Sequence, residues 1–221
     1  MKRIFHENGL SIVLFVLFFL SLVGQYFTGY SEYNEERRAH GENAVSYTQY
    51  FGEGHFIEAV FENWESEFLQ MGAYVLLTVF LFQKGSSESK TPGTTERIDI
   101  IVEDSKKDKN MPYPVRRGGL ILKLYEYSLS IALFLLFLMS FVLHAVGGAK
   151  DYNIQQIQHN EPTVSTLEYM SGSRFWFESF QNWQSEFLSI GLMIVLSIYL
   201  RQKGSPESKP VDSPHSDTGT S

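Results

Sequence analysis

Glu67 and Glu186 are the residues best placed to do chemistry, because each follows an asparagine by one helical turn, Asn63 or Asn182, inside two copies of one motif. The copies read Phe61-Glu62-Asn63-Trp64-Glu65-Ser66-Glu67-Phe68-Leu69 and Phe180-Gln181-Asn182-Trp183-Gln184-Ser185-Glu186-Phe187-Leu188, and both lead straight into apolar sequence. From Glu67 to Phe82 is 82 − 67 = 15 residues, about 22 Å of helix at ~1.5 Å per residue. With Phe82 at one boundary of a ~30 Å hydrocarbon core, the carboxylate falls inside it. An acid there is costly alone and by default marks a proton, ion or substrate path, with each asparagine and glutamate forming a polar pair. The plainer expectation is that Lys84 and Lys203 snorkel outward, the helices shift, and both acids sit among headgroups.

A second candidate chemistry is metal binding. His40-Gly41-Glu42 and His159-Asn160-Glu161 repeat a His-x-Glu pair, and the two pairs brought together would supply four nitrogen and oxygen ligands suited to zinc. Two-ligand patterns in loops are more often simply solvated, so no metal is assigned. His6, His55 and His144 have no histidine at the matching place in the other copy and read as ordinary interfacial or loop residues. Trp64 and Trp183 suit an aromatic belt that anchors helices at a membrane boundary.

Several chemistries are excluded or unsupported. With no cysteine, thiol nucleophiles, thiolate metal sites and disulfides are impossible. No Gly-rich phosphate loop, nucleophile elbow or His-Glu-x-x-His occurs, so neither an enzyme nor a cofactor is expected. A net charge of -7 gives no nucleic-acid surface.

The elements that must position these residues are copied along with them. Asn63 to Asn182 is an offset of 182 − 63 = 119. The same offset relates Leu10 to Leu129, Tyr33-Asn34 to Tyr152-Asn153, His40 to His159 and Gln83-Lys84-Gly85 to Gln202-Lys203-Gly204. An unbroken register means that loops as well as helices were duplicated. The mean hydropathy of -0.13 averages very apolar and very polar stretches. Residues 10–27 and 129–146 are long runs without charge, and 68–82 and 187–200 are shorter ones, giving four candidate spans. The first resembles a signal peptide, but its copy lies mid-chain, so it reads as a retained helix. Small residues at Gly72, Gly191, Ser11, Ser130, Ser21 and Ser140 would let helices approach closely.

Orientation follows from charge. Of the 18 lysines and arginines, only Arg37, Arg38, Lys150 and Arg174 lie in the two hairpin loops. Basic residues are retained in the cytoplasm, so both termini and the centre should face it. Each repeat then begins inside, and the two are parallel and not inverted. Residues 1–85 and 120–205 form the repeats. Residues 86–119, with an apolar patch at 98–102, read as a mostly flexible cytoplasmic linker, and 206–221 as a disordered tail. Ser46-Tyr47-Thr48-Gln49 and Ser165-Thr166-Leu167-Glu168 fit the capping box, so a short helix begins at each. Gly52 and Gly54, or Ser171, Gly172 and Ser173, break it before a long helix ending near Gly85 or Gly204.

Residues 61–70, together with Gln83-Lys84-Gly85-Ser86 and Glu88-Ser89-Lys90, resemble the signature of a family of uncharacterised bacterial membrane proteins known as a domain of unknown function. The second copy departs from it at Gln181, Gln184 and Ser189, which weakens any role needing Glu62, Glu65 or Gln70 in both halves. The resemblance implies an integral membrane protein and no more. The expected molecule is all-α, with four transmembrane helices as two parallel hairpin repeats in the inner (plasma) membrane. Its partners are the lipid bilayer and further copies or another membrane protein. Its role is structural, sensing or partner-binding, and the alternative is a small proton- or ion-coupled transporter or channel using Glu67 and Glu186.

Overall fold

The computed structural model describes residues 2–99 and 110–219, so most of the apolar patch at 98–102 and Lys106, Lys107 and Lys109 lie outside the described residues. Regular structure among the described residues is helical. The helices are α1 (Lys2–Ala39), α2 (Tyr47–Tyr50), α3 (Gly54–Leu77), α4 (Tyr113–Arg117), α5 (Gly119–Glu126), α6 (Ser128–Gln158), α7 (Thr166–Ser171) and α8 (Ser173–Tyr199), with a 3-10 turn at Arg97–Asp99. Two of them, over His6–Ala39 and Ser128–Gln158, are long and apolar enough to cross a membrane. Acids as far along as Glu67 in α3 and Glu186 in α8 leave these helices shorter charge-free stretches than those of α1 and α6. The helices fall into two compact units, Met1–Phe61 with Val142–Phe175 and Glu62–Phe141 with Trp176–Ser221.

In the first unit, two loops of the same design follow α1 and α6. Each helix ends in a Schellman turn: Glu42 N–H donates to Arg37 O and Glu161 N–H to Gln156 O, both at 2.8 Å. The left-handed residue that this turn demands is Gly41 (φ 76°) in one copy and Asn160 (φ 57°) in the other. Asn34 then clamps the returning chain, donating to Val45 O at 3.3 Å and accepting from Val45 N–H at 2.7 Å. Asn153 makes the same pair with Val164 at 2.9 and 2.8 Å. The expected capping boxes start α2 and α7, where Ser46 and Ser165 accept from Gln49 and Glu168. Asn34 is 1% exposed. Asn34→Ala therefore strands two backbone groups of Val45 and is expected to cost about 2 kcal/mol in unfolding of the detergent-solubilised protein.

The box of α7 responds to pH. Hydrogen bonds from the Ser165 backbone and hydroxyl hold the Glu168 carboxyl below the usual carboxylate range. A depressed folded value means the stabilisation is present above the unfolded value and is lost as pH falls through the folded one. Acidification should speed hydrogen exchange across α7, and Glu168→Gln, which copies Gln49 of α2, should abolish that dependence.

Packing in this unit turns on tyrosines seated against helix glycines. Tyr26, Tyr33 and Tyr50 form a buried cluster with Tyr30, Val45 and Phe56 around it. A Cβ on Gly29 would come 2.5 Å from the Tyr50 hydroxyl, and one on Gly148 would come 2.5 Å from that of Tyr169. Gly29 and Gly148, like Tyr50 and Tyr169, are related by the 119-residue offset, so both copies use one device.

In the second unit, α3 and α8 end at Leu77 and Tyr199, well before Gly85 and Gly204. The expected helix ends are corrected accordingly. The two glycines have φ of 89° and 84° but occupy the third place of separate turns, closed by Ser86 N–H to Gln83 O and Ser205 N–H to Gln202 O at 3.2 Å each. The backbone N–H of Gln83 donates to Ser89 Oγ at 2.9 Å and that of Gln202 to Ser208 Oγ at 3.0 Å. The chain after each helix is thus tied to its own serines.

Residues 206–219 carry turns held by specific hydrogen bonds. Lys209 is 2% exposed, and its ammonium donates to the carbonyls of Pro214, His215 and Asp217 at 3.3, 3.2 and 2.8 Å. Gly219 N–H reaches Ser86 O at 3.0 Å, and Gly85 N–H donates to Thr218 Oγ1 at 2.9 Å. Charge-assisted hydrogen bonds to three carbonyls thus hold the Lys209 ammonium in a tail of polar composition.

Candidate functional site

The polar face of α3 within the second unit is set by helical spacing. Glu62, Glu65, Ser66 and Gln70 lie three, four or one residue apart in the pattern that places side chains along one stripe. Glu65, Ser66 and Gln70 are buried, at 1%, 2% and 6% exposure. A buried carboxylate is costly unless it is hydrogen-bonded. The indole Nε1–H of Trp183 donates to Glu65 Oε1 at 2.9 Å, and the Asn182 amide donates to Glu62 Oε1. Asn182 Nδ2 also reaches Glu178 O at 3.1 Å. Acids of the first motif are therefore bound by the asparagine and tryptophan of the second.

Aromatic packing holds the donor. Trp183 meets Phe180 edge-on with centroids 5.4 Å apart and Trp176 at 6.2 Å, and lies 6.4 Å from Phe137 of α6. Trp183 is thus more than an interfacial anchor. Trp64 is half-buried and makes an edge contact with Phe68 at 6.5 Å.

The quartet singled out in the sequence takes a different arrangement. Glu67 and Asn63 are exposed, while Glu186 and Asn182 are half-buried. Asn182 spends its amide on Glu62 and the Glu178 carbonyl and makes no hydrogen bond to Glu186. The carboxylates kept in both copies are thus the less buried ones, and the deeply buried Glu65 is an acid that the second copy replaces with Gln184. Divergence between copies at Glu62/Gln181 and Glu65/Gln184 was the available signal.

The His-x-Glu pairs are parts of helix ends. His40 Nδ1 contacts Glu36 O at 3.0 Å, and Glu42 binds Arg37 at 2.9 Å and Gln158 at 2.8 Å. Backbone N–H groups of Glu42 and Glu161 close the Schellman turns described above. His144, expected to be an interfacial or loop residue, is instead fully buried in α6.

The sequence model of a family described as Domain of unknown function (DUF6766) matches residues 1–220. No curated protein and no solved structure matches the chain.

Proposed function

The chain belongs to this DUF6766 family, and we propose that it is a non-catalytic integral membrane protein of four spans, built from two parallel hairpin repeats, that serves a structural, sensing or partner-binding role. The pairing of buried Glu65 with Trp183 carries this reading, because it spends an acid of the duplicated motif on locking two helices together. Membrane residence is supported by apolar side chains that no protein covers. On α1, Leu10, Phe15, Phe19 and Leu20 are each at least 58% exposed, and Phe80, Leu81, Leu188 and Leu200 beyond or within α3 and α8 are exposed by 60% or more. Water would penalise such a surface, and the bilayer is the solvent that removes the penalty. The excess of Lys and Arg outside the hairpin loops supports cytoplasmic termini in the inner (plasma) membrane. Further copies or another membrane protein are the natural partners.

A second reading, a small proton- or ion-coupled transporter or channel, rests on the recurrence of Glu67 and Glu186 in both copies of the motif. Proteoliposomes loaded with a pH-sensitive dye separate the two. The structural reading expects proton leak equal to that of empty vesicles for both the native chain and Glu67→Gln/Glu186→Gln. A flux that the double variant abolishes would overturn it.

A further inference from the structure

We propose that Glu58 of α3 and His144 of α6 bind a late first-row divalent cation, with Zn2+ foremost. Both residues belong to the first unit. Glu58 is 8% exposed and His144 is fully buried, and a carboxylate oxygen of one lies within 4.8 Å of an imidazole nitrogen of the other. One imidazole nitrogen and one carboxylate oxygen form a borderline donor set that favours zinc, cobalt, nickel or copper over magnesium or calcium.

The surroundings orient both ligands. Tyr169 of α7 donates its hydroxyl hydrogen to Glu58 Oε1 at 3.3 Å, the kind of outer-shell bond that fixes a ligating carboxylate. The His144 ring lies 4.8 Å from the Phe175 ring at an interplanar angle of 31°, which sets its plane. Two adjacent glycines bring the parts together. A Cβ on Gly147 would stand 2.5 Å from Glu58 N, and one on Gly148 would stand 2.5 Å from the Tyr169 hydroxyl.

Packing by itself does not require these residue types. The counterparts at the 119-residue offset are Gln25 for His144 and Phe177 for Glu58. Gln25 makes an ordinary helix-to-helix hydrogen bond to Ala59 O at 3.2 Å. The duplicated frame thus holds with a neutral amide at the histidine position. The second copy's histidine and the first copy's glutamate meet to form the donor pair.

The test uses the full chain in detergent micelles, stripped with chelator and titrated calorimetrically with Zn2+ alone. The expected result is one ion per chain, with affinity lowered at least tenfold by His144→Gln and by Glu58→Gln and unchanged by His40→Ala/His159→Ala. Absence of stoichiometric binding, or equal affinity in both site variants, would overturn the proposal. Should either variant misfold, the visible spectrum of Co2+ added to the native chain decides: d–d bands displaced and intensified relative to the aquo ion support the site, and an aquo-like spectrum sinks it. Failure of metal binding leaves the four-span reading untouched, because that reading does not depend on this pair.

Discussion

Trp183→Phe is expected to lower the unfolding free energy in detergent by about 2–3 kcal/mol, the penalty for removing a hydrogen-bond partner from a buried charged group. Phenylalanine keeps much of the ring packing against Phe180 and Phe137 while deleting the indole N–H that satisfies Glu65. Glu65→Gln preserves a carbonyl acceptor for that N–H and removes the buried charge, so its cost should be under about 1 kcal/mol. In the double variant no carboxylate is deprived of the indole donor, and the combined loss should fall short of the sum of the single losses. Strict additivity would show that the two side chains do not depend on each other. Calorimetric or denaturant unfolding of the four proteins gives the answer.

Gly54→Ala should be comparably damaging, at about 3 kcal/mol, because the new methyl has nowhere to go. Its Cβ would sit 2.5 Å from Asp151 N and 2.6 Å from Gly147 O, and backbone cannot move aside as a flexible side chain can. The position opens α3 directly against α6 within the first unit. Gly72 and Gly191, the glycines whose sequence context suggested close helix approach, provide the contrast. A Cβ on Gly72 would meet Phe134 and Leu133 at 3.4–3.5 Å, an ordinary van der Waals separation, and nothing lies within 4 Å of one on Gly191. Gly72→Ala should cost little, and Gly191→Ala should gain up to about 1 kcal/mol from helix propensity. Equal effects at Gly54 and Gly191 would mean that the glycines matter for propensity and not for proximity.

The helical framework was legible because its signals are local and occur twice. Ser46 and Ser165 announce α2 and α7 with an acceptor three residues on, and the breaks at 52–54 and 171–173 place the starts of α3 and α8 correctly. The C-terminal ends were misread because glycine with positive φ serves helix caps and free turns alike. Only the serine hydroxyls at Ser89 and Ser208, which capture the backbone, distinguish the two. Lys209 escaped notice for a related reason, since nothing in the spacing of the tail marks which carbonyls will surround a lysine.

The site was half legible. The Phe-x-Asn-Trp motif drew attention to Glu67 and Glu186, which recur in both copies, whereas the most deeply buried carboxylate of the segment is Glu65. Burial on a helix depends on angle, and at ~100° per residue Glu65 and Glu67 face directions about 200° apart. Which face turns inward is decided by tertiary packing against Trp183 and Asn182, and a single repeat carries no record of its neighbour. His144 and Glu58 were missed similarly, because each belongs to one copy only and their proximity arises from α3 crossing α6 at Gly147.

The four-span arrangement is tested most directly by cysteine accessibility, which the absence of native cysteine makes clean. Single variants His40→Cys and His159→Cys report on the two hairpin loops, and Thr94→Cys and Glu207→Cys on the segments after each repeat, all at exposed positions. A membrane-impermeant maleimide applied to intact cells or spheroplasts should label the first two and should reach Thr94→Cys and Glu207→Cys only after permeabilisation. Labelling of Thr94→Cys from outside, or labelling of His40→Cys and His159→Cys from opposite sides, would contradict two parallel hairpins and remove the basis for a four-span protein.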